Sequence, residues 1–150
     1  MFKIIVDADA CPRSCLGILK KHRASWGYHL LTISSVDHQI ESCHHIMVEK
    51  GKDSTDLAVI NSTNRGDIVV TQDWGLAALV LGKGAYAISP AGRVFNEATI
   101  VFLLEERSLK AKFRRAGGRT RGPSARTAKD DRRFEANFLA LLAEARNSRD

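Results

Sequence analysis

The chain is poor in cysteine. Three occur in 150 residues, Cys11, Cys15 and Cys43, an odd, small number that argues for reduced thiols and against a disulfide framework. No C-x2-C pair is present, and the spacing of the thiols from His44 and His45 is irregular, which argues against structural zinc. No apolar stretch approaches the roughly 18–20 residues that a membrane helix needs. The opening MFKIIVDADACP puts carboxylates where a secretory signal requires an unbroken apolar segment. A soluble, cytoplasmic protein with no membrane partner is therefore expected. Internal repeats and low-complexity tracts are also missing. What remains is an ordinary globular composition, 44% hydrophobic and 27% charged, enough for one single domain with a core of its own.

The net charge of +6 hides an asymmetry. Residues 1–106 carry ten Lys/Arg against twelve Asp/Glu, whereas residues 107–150 carry thirteen against five. Eleven of those thirteen cations fall between Arg107 and Arg133. A concentrated basic segment attracts polyanions, so nucleic acid is the expected partner. Arg114, Arg115, Arg119, Arg121, Arg126, Lys129, Arg132 and Arg133 are the candidate phosphate contacts.

Along the chain, FKIIVDAD reads as a buried strand, and Pro12 sits where a helix begins, with Asp9 or Cys11 near its cap. That helix carries Leu16, Ile18 and Leu19 on its apolar face and reaches about residue 22, before Gly27. Strands are expected at residues 28–34, 45–49, 67–71 and, last, 85–89. Helices are expected at 53–61, at 74–81 and from 97 to about 115, and Phe134, Phe138, Leu139 and Leu142 mark a final amphipathic helix. Alternating strands and helices at this spacing predict a parallel α/β sheet with helices on both faces. The basic segment 107–133 reads as an appendage, with a mobile loop expected over 117–128.

In an open parallel sheet, ligands bind beyond the carboxyl ends of the strands. Asp7 and Asp9 close the first strand, Asp73 follows the DIVVT strand, and Thr71 supports it from two residues earlier. Asp53 and Asp56 open the middle helix on one face. Asp67 is excluded, because six residues of strand put it about 20 Å from Asp73, at the opposite edge. Capping could account for Asp9 and Asp53, but it leaves Asp7, Asp56 and Asp73 at the same edge unexplained. Carboxylates gathered in this way repel one another, and a hard cation relieves the conflict. Asp7, Asp9, Asp53, Asp56 and Asp73 are thus candidate ligands for Mg²⁺ or Mn²⁺, with water activation for phosphodiester cleavage as the chemistry. The histidines are scattered, and Trp26 and Trp74 read as core residues.

From VDADACP through GKDSTDLAVI, GDIVVTQDWGLAALVLGKG, SPAGRVFNEATI and GGRTRGPSARTAKDDRRFEANF, the sequence resembles the YaiI/YqxD family (UPF0178, DUF188). The resemblance covers nearly the whole chain and departs from the family pattern between Ser35 and Lys50. The family is grouped with the PIN-like nucleases, so the resemblance implies a three-layer, Rossmann-like PIN-like domain with C-terminal helices. By that similarity Asp7, with Asp9 beside it, matches the first acid of the PIN-like pattern. Asp56, with Asp53 near it, matches the middle acid, and Asp73 matches the later one.

Three readings stand at this point. The first is a metal-dependent nuclease acting on RNA or structured nucleic acid, with RNA favoured over DNA, in which Asp7, Asp9, Asp56 and Asp73 are catalytic. The second is a phosphatase of the haloacid dehalogenase type using the Asp7-Ala8-Asp9 pair, although that pattern wants Thr or Val where Cys11 stands. The third is a nucleic-acid-binding module without catalysis.

Overall fold

A computed structural model describes residues 2–35, 44–48, 54–118 and 125–149. Among them the first strand, β1 (Lys3–Asp7), runs into a single 3-10 turn over Ala8–Ala10 and then α1 (Arg13–Trp26). There follow β2 (His29–Ser34), β3 (His44–Met47), α2 (Ser54–Ser62), β4 (Ile68–Val70), α3 (Trp74–Gly82), β5 (Tyr86–Ile88), β6 (Val94–Phe95), α4 (Glu97–Arg115) and α5 (Ala128–Arg149). The sheet order is β3-β2-β1-β4-β5-β6, parallel throughout except for β6, which pairs antiparallel with β5.

This is a three-layer α/β domain. Successive residues of β1 face opposite ways, so Ile4 and Val6 join one core and Ile5 joins the other. The first core adds Leu30, Ile68, Val70 and Ile88 from the sheet, Cys15 and Leu19 from α1, and Phe134, Phe138, Leu141, Leu142 and Ala145 from α5. The second adds Leu31, Ile33, Val69 and Ala87, covered by Val59 of α2, by Leu76, Ala77 and Val80 of α3, and by Ile100 of α4. Strands buried on both faces require continuous apolar runs, which is what IIV and IVV supply.

Three sequence expectations change. The strand at 85–89 is not the last, because the two residues of β6 add an antiparallel edge, too short to show any periodicity. The first helix continues a full turn past residue 22 and stops at Gly27, whose φ of 70° suits a glycine C-cap. It starts after Pro12 with no side-chain cap, so neither Asp9 nor Cys11 plays that part. Nor is the basic segment one appendage. Its last part enters α5, where Phe134 stacks on Phe138 at 5.5 Å and Phe138 meets Tyr28 edge-on at 6.0 Å. Trp26 packs against the first core beneath the Arg146 guanidinium, 4.1 Å from the ring centroid. Of the expected loop at 117–128, residues 119–124 lie outside the described residues.

Candidate functional site

Strand order reverses between β1 and β4, since the chain first builds outward through β2 and β3 and then returns to the other side of β1. Such a switch point leaves a crevice at the carboxyl ends of the two strands. Asp7 is the last residue of β1, and Thr71 follows β4 directly. The Thr71 hydroxyl donates to Asp7 Oδ2 at 3.0 Å and its oxygen accepts the Asp73 amide at 3.0 Å. One side chain thus ties the first acid to the last across the crevice.

Electrostatics gather the other acids around Asp7. Its carboxyl is pushed up from 3.8 to about 6, chiefly by burial and then by the negative charges of Asp56, Asp9 and Asp73, against a lowering by the Thr71 bond. Asp9 is braced by hydrogen bonds. Its oxygens accept the Ser35 amide at 3.0 and 3.1 Å, the Ser35 hydroxyl at 2.6 Å and the Thr55 hydroxyl at 3.2 Å. Asp73 is the N-cap of α3, with Oδ1 accepting from the Gly75 amide at 2.9 Å and the Leu76 amide at 3.2 Å. Capping therefore does account for Asp73, contrary to the sequence expectation, and it engages only Oδ1. Asp53 lies outside the described residues. Among the described residues no three His, Cys, Asp or Glu side chains stand close enough to form a ready metal cage. Three carboxylates, those of Asp56, Asp9 and Asp73, act on the half-buried Asp7, with no Lys or Arg among the charges acting on it.

Asp67 stands at the far edge. It is 2% exposed and accepts from the Lys3 amide at 3.1 Å, Lys3 Nζ at 2.6 Å and the Asn64 amide at 2.8 Å. It fastens the start of β4 to the start of β1. Two of the histidines also have local partners. The His45 ring nitrogens pair with the Thr32 and Ser34 hydroxyls at 2.6 and 3.2 Å, and His22 Nε2 meets Glu135 at 2.8 Å.

Beside the acids opens a cleft of about 920 Å³, lined by Pro12, Gln72 and Trp74 on one side, the 89–95 hairpin beneath, and Arg126, Asp130, Arg133 and Asn137 opposite. None of the four acids lines it, but Gln72 and Trp74, the neighbours of Asp73, do. Trp74 also packs against the second core, with the Arg107 guanidinium 5.2 Å above its ring. Arg126 is a structural bracket as well as a lining residue. Its Nε donates to Asp131 at 2.7 Å and Ser14 at 3.1 Å, and Nη1 donates to the Pro90 carbonyl at 2.6 Å. Its Nη2 is buried with no hydrogen-bond partner among the described residues. The other basic candidates are spread out. Arg114 and Arg115 are exposed at the end of α4, Lys129, Arg132 and Arg133 are exposed on the first turns of α5, and Arg119 and Arg121 lie outside the described residues.

Sequence reasoning missed Ser35, Thr55, Gln72, Arg93 and Asn137. Gln72 Nε2 donates to the Ala10 carbonyl at 3.0 Å, and Asn137 Nδ2 donates to the Gly92 carbonyl at 2.6 Å. Gln72 was the one with a local signal, standing between Thr71 and Asp73 after a strand. The others are brought in from distant sequence.

The chain matches the family described as "Uncharacterized BCR, YaiI/YqxD family" over residues 5–144. It is 45% identical over 142 residues to a UPF0178 protein of Heliobacterium modesticaldum, covering 95% of this chain and 97% of the relative. It is 44% identical to a UPF0178 protein of Exiguobacterium sibiricum, with coverage of 95% and 97%, and 40% identical to one of Clostridium tetani, with coverage of 96% and 99%. No solved structure matches. The β1–β4 crevice, its acids and the arginine-lined cleft all fall within the matched span, and the chain belongs to the YaiI/YqxD (UPF0178) family.

Proposed function

We propose that the protein is a divalent-cation-dependent nuclease of the PIN-like kind, cutting phosphodiester bonds of RNA or structured nucleic acid at the β1–β4 crevice. The observation that carries the reading is the convergence of Asp9, Asp56 and Asp73 on Asp7 at the strand-order reversal, beside a cleft lined by Arg93, Arg126 and Arg133. Asp7, Asp56 and Asp73 would hold Mg²⁺ or Mn²⁺, with Asp9 beside them. When bound, such a cation supplies water activation and charge neutralisation for phosphodiester cleavage. The residues of the chain do the rest. Thr71 fixes Asp7 relative to Asp73. The arginines attract the flanking phosphates, and Trp74 and Pro90 offer apolar walls to a base.

The test is cleavage of a panel of single-stranded and structured RNA and DNA with Mg²⁺ or Mn²⁺ by the wild type, Asp7→Asn and Asp73→Asn. Metal-dependent cleavage by the wild type that falls at least a hundredfold in both variants supports the reading. Undiminished cleavage by the variants, or none by the wild type with either metal, overturns it. Turnover of p-nitrophenyl phosphate with a phosphoryl group trapped on Asp7 would overturn it in favour of a phosphatase.

A further inference from the structure

Helix α4 is nineteen residues long, yet Ile100 is its one buried residue. Leu103 packs against the second core and Arg107 lies over Trp74. At about 100° per residue these lie on one side of the helix. On the other side Phe102, Leu109 and Phe113 follow at i, i+7 and i+11, and they are 58%, 66% and 53% exposed. Val101 and Leu104, 54% and 48% exposed, lie off this line at about 100° per residue. Scattered exposed apolar residues are ordinary, whereas a contiguous stripe on one helix marks an interaction surface. The Phe113 ring lies against Gly118, where a Cβ would collide with it.

The flanking charges identify the occupant. Glu105 and Glu106 precede Leu109, and Lys110 and Lys112 follow it, so the helix is acidic before its apolar centre and basic after it. We propose that α4 is a self-association helix that pairs antiparallel with α4 of a second copy about a two-fold axis near Ser108. In that register Phe102 packs on Phe113 of the second copy. Glu105 faces its Lys112, and Glu106 faces its Lys110. The midpoints of all three pairings fall within one residue of Ser108. A self-complementary patch of this kind is what a two-fold interface requires, and reversed helix polarity sets unlike charges against each other. Parallel pairing would set glutamates against glutamates. The Lys110–Glu106 bond within the helix, at 3.0 Å, exchanges for its counterpart across the axis.

Sedimentation velocity from low to several hundred micromolar tests this. The wild type is expected to approach twice its 16.6 kDa mass, and Phe102→Ser/Leu109→Ser/Phe113→Ser is expected to stay at the monomer mass with an unchanged circular dichroism spectrum. The charges provide the sharper arm. Glu105→Lys/Glu106→Lys and Lys110→Glu/Lys112→Glu should each be monomeric alone and associate when mixed, and the chain carrying all four reversals should dimerise again. A wild type that stays monomeric at every concentration overturns the proposal, as does either of the two doubly reversed chains dimerising by itself as well as the wild type. A monomer that instead co-sediments with phosphatidylglycerol vesicles through the same three apolar residues overturns it in favour of a lipid surface.

Discussion

Replacing Asp7 by asparagine removes the charge that its surroundings oppose most. Burial and three neighbouring carboxylates raise this acid from 3.8 to about 6, a displacement of about two pH units. At 1.36 kcal/mol per unit the displacement has a ceiling of about 3 kcal/mol. Solvent reaches part of the side chain and screens it, which lowers the expected effect to about 1–2 kcal/mol. The sign follows from proton binding. Between about pH 4 and 6 the folded chain keeps a proton that the unfolded chain has released, so stability from this site is complete below pH 4 and is lost as pH rises through 6. Asparagine carries no charge to repel, and its Oδ1 can still accept from Thr71. In EDTA, Asp7→Asn should match the wild type near pH 4 and exceed it by about 1–2 kcal/mol at pH 8, or several degrees in Tm for a chain of this size. Urea unfolding at both pH values checks this. Adding Mn²⁺ at a hundred times its Kd should then raise the wild type by about 2.7 kcal/mol and leave the variant unmoved. Equal stabilities at pH 8 in EDTA, or a less stable variant, would refute the argument that the acids crowd Asp7.

Asp67→Ala should cost about 3–5 kcal/mol in urea unfolding, because it strands Lys3 and two backbone amides, while leaving the response to Mn²⁺ intact. Phe138→Ala should cost a further independent 3–5 kcal/mol by removing the ring between Phe134 and Tyr28, read from the denaturation midpoint. Gly92→Ala should lower stability by more than about 2 kcal/mol. Its φ is 94°, and a new Cβ would meet Arg133 Cγ at 2.7 Å and the Phe134 amide nitrogen at 2.9 Å, so a wild-type melt would contradict the close approach of the hairpin to α5. Arg133→Ala, at an exposed cleft residue, should preserve folding and reduce the slope of log K against log salt for RNA retention by about 1. An unchanged slope would remove Arg133 from the phosphate contacts.

Much of the frame was legible locally. The runs IIV and IVV are apolar on both sides because parallel strands are covered on both faces, and the Gly27 stop and the Asp67 exclusion follow from backbone and strand geometry alone. Asp7, Asp9, Asp56 and Asp73 could be singled out because each lies next to a strand end or a helix start. Roles were harder to read than positions. Asp9 was a candidate ligand, and its oxygens turned out to be held by Ser35 and Thr55, 26 and 46 residues away. Arg126 was one cation in a basic run, and it brackets α1, the hairpin and α5 through Ser14, Pro90 and Asp131.

The sequence by itself therefore determined the α/β alternation, the strand-end acids and the division of charge between the two parts of the chain. These depend on period, propensity and composition, which are local. Only the tertiary structure decided that β1 and β4 meet at the strand-order reversal, that α5 completes the first core, and that α4 keeps an apolar stripe exposed among the described residues. Those outcomes depend on which distant surfaces bury each other, and burial is a property of pairs of segments that no single segment encodes.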